Sequence, residues 1–111
     1  MTEELEIIAF STVPQLWAWL EHQHVTHPGV WVQVRKSGST VASIDFHDLL
    51  EAGMAYGWSE STRRAHDSSS FLQKFTPRRT PGTSSERNLA IAGRLEKDGR
   101  MTPAGRHALR R

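Results

Sequence analysis

The sequence predicts an α+β domain: a small antiparallel or mixed sheet of three to four strands with helices packed on it, in the order β-α-β-α-β-β-α-α. Three observations lead there. Val30 to Lys36 alternates, with Val30, Val32 and Val34 on one side and Trp31, Gln33 and Arg35 on the other, which is the pattern of a half-buried strand. Two segments join helix-start chemistry to apolar residues at helical spacing. Trp58–His66 and Phe71–Thr76 flank the polar turn Asp67-Ser68-Ser69-Ser70, the arrangement of a hairpin.

In chain order, Leu5–Phe10 is short and apolar, with β-branched Ile7 and Ile8, and reads as an edge strand. Thr12 can cap the next helix, with Gln15 three residues on and Pro14 in the first turn, where a missing N–H costs nothing. Leu16, Trp19 and Leu20 share one face of that helix, which must stop before Pro28-Gly29. Ser37-Gly38-Ser39 closes the alternating strand. Ser43 is the expected cap of the second helix, with Asp45 and Asp48 near its positive end. Phe46, Leu49, Leu50, Gly53 and Met54 form its buried stripe, Gly53 allows close packing, and Gly57 ends it. Pro77-Arg78-Arg79-Thr80-Pro81-Gly82 is an irregular loop. Thr83 to Glu86 is a second expected capping box, ahead of a helix with Leu89, Ala92 and Leu95 inward and Gly99 at its end. Thr102 caps a last short helix that begins at Pro103.

The 111 residues suit one domain, 1–111, able to bury roughly two thirds of its unfolded surface. No cysteine is present, which excludes disulfides, thiolate metal sites and a thiol nucleophile. The acidic start Met1-Thr2-Glu3-Glu4 has no apolar core of a signal peptide, and no apolar run reaches bilayer length, so the expected location is cytoplasmic and no membrane partner is expected. The net charge of +2 is uneven. Residues 1–55 hold two bases against seven acids; residues 56–111 hold twelve bases against five acids. A basic half suits an anionic partner, although it is equally the mark of an unevenly charged soluble surface.

Ser43-Ile44-Asp45-Phe46-His47-Asp48-Leu49-Leu50-Glu51-Ala52-Gly53 leads into Tyr56-Gly57-Trp58, then Phe75-Thr76-Pro77-Arg78-Arg79, Ser85, Asn88 and Gly99-Arg100-Met101-Thr102-Pro103-Ala104-Gly105. In this order and spacing they resemble the bacterial YdeI/OmpD-associated (OmdA-like, bacteriocin-protection) family, most strongly over residues 30–109. The resemblance implies protection against antimicrobial peptides or envelope stress, and it implies no established reaction. The family usually continues Gly-Trp with Ile-Asp-Gly, where this chain has Ser59-Glu60-Ser61; a family Ser and Trp are replaced by Gly82 and Ser84.

Arg78 and Arg79 lie just before a helix start. Guanidinium groups grip carboxylate or phosphate bidentately, and free helix N–H groups favour anions. With Trp58, Glu60, Ser85 and Asn88 they make a candidate ligand-binding cleft for a small anionic molecule or peptide. The structural alternative pairs the arginines with Glu60 or Asp67, leaves Asn88 to tie down the loop and puts Trp58 in the core. Apart from the adjoining Glu21, His22, His24 and His27 have no acidic fourth ligand nearby in sequence and read as solvated histidines at a fraying helix end, so neither metal nor cofactor is expected. Trp17, Trp19 and Trp31 read as core or groove lining.

The expected function is a non-enzymatic ligand- or anion-binding domain. One alternative is a nucleic-acid-associated protein using the basic C-terminal half. Another is an enzyme on an anionic small molecule, with Glu60 or His66 as base.

Overall fold

The elements follow in the predicted order: β1 (Ile7–Ala9), α1 (Val13–Gln23), β2 (Val30–Arg35), α2 (Phe46–Tyr56), β3 (Trp58–Ala65), β4 (Ser70–Pro77), α3 (Glu86–Lys97) and α4 (Pro103–Leu109). The computed structural model describes residues 5–78 and 85–109. The sheet is mixed, ordered β1-β2-β4-β3: β1 runs parallel to β2 at the edge, and β4 is antiparallel to both of its neighbours. The hairpin partner β4 therefore lies inside the sheet and β3 at its other edge.

Alternation along β2 separates two faces. Val30, Val32 and Val34 are fully buried and join Phe75 and the inward residues of the helices in one contiguous core. Trp31, Gln33 and Arg35 turn the other way, and none belongs to that core. Leu16 and Leu20 anchor α1, while Leu49, Leu50, Ala52, Gly53 and Met54 anchor α2. A chain of edge-on ring contacts, Phe10–Trp19 at 6.0 Å and Trp19–Trp58 at 5.5 Å, continues to Phe75 at 5.1 Å from Trp58.

Local chemistry sets the helix ends, in two places two residues beyond where the sequence suggested. Thr12 caps α1 as expected, accepting from the Gln15 N–H. The cap of α2 is Asp45, not Ser43, and it forms a reciprocal box with Asp48. The Ile44 carbonyl is held by the Arg35 N–H, and the Ser43 hydroxyl reaches the Gln33 carbonyl, so this segment still belongs to the end of β2. Ser85, not Thr83, caps α3 by accepting from the Asn88 N–H; Thr83 lies outside the described residues. The inward stripe of α3 takes in Asn88 and Ile91 besides Ala92 and Leu95.

α4 meets α2 at backbone distance. A Cβ on Gly105 would collide with the Ala55 and Met54 carbonyls and sit 2.6 Å from Met101 Sδ. The Thr102 hydroxyl binds the Ala55 carbonyl on the same contact. Gly57 ends α2 in the left-handed region, at φ 76°, where glycine bears no Cβ penalty.

Candidate functional site

Gly57 turns the chain directly from α2 into β3, so Tyr56 and Trp58 flank one point. Both are buried. The Arg78 N–H donates to the Gly57 carbonyl at 2.9 Å and brings the end of β4 to the same point. The Arg78 guanidinium leans on Met54 Sδ at 3.7 Å. His24, at the C-cap of α1, and His107, on α4, complete the surround. Together these residues line a cleft of about 380 Å³, and Val25, Pro77 and the Ala104–Ala108 side of α4 supply its apolar surface.

Trp58 forms the floor. Its ring is 1% exposed and its indole N–H donates to the His24 carbonyl at 3.3 Å, so it is a core residue whose edge bounds the cleft. His24 is half-buried, with Nδ1 at 2.7 Å from the Leu20 carbonyl and its ring 5.0 Å from that of Tyr56. Those contacts fix the ring orientation, in contrast to the frayed, solvated histidine the sequence suggested. His27 is likewise engaged, with Nε2 at 3.2 Å from Glu6 and Nδ1 accepting from the Gly29 N–H. Among the described residues no group of three metal-ligating side chains comes together.

Tyr56 donates its hydroxyl to Glu21 at 2.5 Å. Burial, helped by that hydrogen bond and the negative charge of Glu21, pushes the phenol up to about 12. It therefore stays a neutral donor near neutrality.

The other sequence-derived candidates form a second cluster. Glu60 accepts from Arg87 at 3.4 Å, Arg87 Nε donates to the Asn88 side-chain carbonyl at 3.2 Å, and Ser85 caps the Asn88 N–H. Asn88 is buried. The structure thus brings Trp58 and Arg78 to the cleft and ties Glu60, Ser85 and Asn88 together through Arg87, which sequence reasoning did not single out. Arg79 lies outside the described residues.

His66 Nε2 is 3.8 Å from Asp67, but the carboxylate of Asp67 is engaged in the hairpin turn by Ser69 and Ser70. The Ser70 hydroxyl foremost, with the Ser69 N–H, draws Asp67 down to about 2. His24, Tyr56 and His107 are the lining residues the sequence did not connect with Arg78. His24 and His107 come from the end of α1 and from α4, and no local spacing records their convergence, whereas Tyr56 stands two residues before Trp58 and that spacing could have found it.

No helix among the described residues is long and apolar enough to cross a membrane. Among known proteins, neither a curated sequence nor a solved structure matches the chain. The model of one family, a domain of unknown function designated DUF8412, matches residues 8–108. That match spans nearly the whole sheet and all four helices, and the chain belongs to the DUF8412 family.

Proposed function

We propose that the domain is a binding module for a small anionic molecule, held in the cleft between Gly57, Arg78 and α4. The observation that carries this reading is the convergence of Arg78, His24 and His107 from three separate elements on one cleft with an apolar floor. A guanidinium keeps its charge at any physiological pH and grips carboxylate or phosphate with two parallel N–H donors. The His107 imidazole adds a directional donor, His24 contributes its ring because its Nδ1–H is already given to the Leu20 carbonyl, and Tyr56, Trp58 and Ala108 give an apolar wall for the body of the ligand. The backbone bond from Arg78 to Gly57 orders the main chain, and the guanidinium contact with Met54 Sδ restricts the side chain before any ligand arrives, which lowers the ordering cost of binding. The resemblance to the YdeI/OmdA-like family favours a protective role for such a module, against antimicrobial peptides or envelope stress.

The test is amide chemical-shift titration with inorganic phosphate and with a small dicarboxylate. Saturable shifts should centre on Gly57, Arg78 and residues 104–108, and Arg78→Ala should abolish them while leaving the rest of the spectrum in place. Absence of saturable shifts in the wild-type protein, or shifts centred elsewhere, would overturn the proposal.

A further inference from the structure

The face of the sheet turned away from the core carries its own pattern. Following the strand register, Ile7 pairs with Trp31 and Trp31 with Lys74; one row along, Ala9 pairs with Gln33, Gln33 with Leu72 and Leu72 with Arg64. Residues paired across strands share a face, so these side chains lie together. None of them belongs to the contiguous core. The Arg64 guanidinium crosses β4 to lie 4.6 Å from the centre of the Trp31 ring. Leu72 is only 2% exposed although it lies outside the core, covered on this second face.

The charges on this face have one sign. The charged strand residues here are Arg35, Arg64 and Lys74, with no acid among the strand positions of the face. Arg35 is paired with Asp45 at 3.3 Å. Among the described residues no carboxylate lies within ion-pair distance of Arg64 or Lys74. Arg64 is exposed, and Ile7, 49% exposed, offers an apolar shoulder beside Trp31.

From this juxtaposition we infer that the open sheet face, at Trp31, Arg64 and Lys74, is a docking surface for single-stranded nucleic acid. An aromatic ring and a guanidinium plane are both platforms on which an unpaired base stacks. Arg64 over Trp31 already makes the first layer of such a stack, and an incoming base adds the next. Lys74 flanks it as a phosphate contact, Arg35 exchanges its partly exposed ion pair with Asp45 for a second, and Thr76, two residues from Lys74 on β4 and so on the same face, offers a hydrogen bond to base or backbone. A duplex hides its base faces and cannot use the stack. The surface is separate from the Arg78 cleft and does not depend on it.

The probe is a short fluorescein-labelled oligothymidylate, followed by anisotropy at low and at physiological salt, with the matching duplex for comparison. The wild-type protein should bind the single strand more tightly than the duplex. Affinity should fall about tenfold over that salt range, as expected for two or three phosphate contacts. Trp31→Leu should weaken binding about tenfold and Trp31→Phe should retain most of it, because only the aromatic ring stacks. Lys74→Ala should lessen the salt dependence by roughly one phosphate's worth, whereas Arg64→Ala, which removes a layer of the stack, should weaken binding about tenfold. Two results would overturn the inference: no binding at low salt, or binding that Trp31→Leu and Arg64→Ala leave unchanged. Binding lost in Arg78→Ala but not in these variants would also overturn it, placing the phosphates in the other cleft. Phosphate titration of Trp31→Leu should match wild type, which keeps the two sites distinguishable.

Discussion

The Arg78 amide is bonded to the Gly57 carbonyl at 2.9 Å, and this one bond joins the last turn of α2 to the end of β4. It holds the backbone of Arg78 beside a left-handed glycine whose missing Cβ admits α4: a Cβ there would lie 2.8 Å from the Ala104 carbonyl. The backbone bond does not depend on the side chain of residue 78. Arg78→Lys should therefore preserve the fold and a positive charge but lose the bidentate grip. A dicarboxylate should bind roughly tenfold more weakly in calorimetry, with the melting temperature close to wild type.

Val32 lies at the centre of the core face and is fully buried. Val32→Asp would place a carboxylate there with no cationic partner, at a cost of several kcal/mol, comparable to the whole stability of a domain this size. Far-ultraviolet circular dichroism should show an unfolded chain. A cooperative melt near the wild-type temperature would contradict the position assigned to β2.

Gly105 is the closest approach of α4 to α2. In an open helix position, Gly→Ala stabilises by up to about 1 kcal/mol. Here the added methyl meets the Met54 and Ala55 carbonyls, so the sign reverses, and Gly105→Ala should destabilise by about 1–3 kcal/mol in urea unfolding. Gly93→Ala is the control. A Cβ there meets nothing within 4 Å, so that change should be neutral or slightly stabilising.

Tyr56 is the single tyrosine of the chain, so its ionisation can be followed by ultraviolet absorbance without interference from another phenol. The midpoint should lie near 12 in the folded protein. Because the folded value is raised above the unfolded one, about 10, the associated stability is fully present below about pH 10 and is lost as pH rises toward 12. Glu21→Gln should lower the midpoint only in part, since burial is the larger cause and the Glu21 hydrogen bond the smaller. A wild-type midpoint near 10 would count against the buried Tyr56–Glu21 bond.

The sequence by itself determined the elements and their order. Period-2 alternation in Val30–Val34, the Thr12 cap, the Gly57 and Gly99 stops and the Thr102–Pro103 start are local signals, set by φ/ψ preference and by which backbone groups lack partners. Where two capping residues competed over a few positions, as with Ser43 and Asp45, only the tertiary hydrogen bonds of Ser43 and Ile44 to β2 decided between them. Tertiary structure alone placed β4 inside the sheet, because pairing partners separated by dozens of residues are chosen by packing and not by spacing. The same holds for the candidate site. Arg78 and Trp58 stood out in the chain as residue types and Tyr56 adjoins Trp58 across Gly57, but His24 and His107 reach them only because helix packing closes the cleft. Trp31 and Trp19 are the same residue type with opposite fates, one on the open sheet face and one against the core. Strand pleat and helix packing sort them, since the hydrophobic effect acts on whichever face finds a partner.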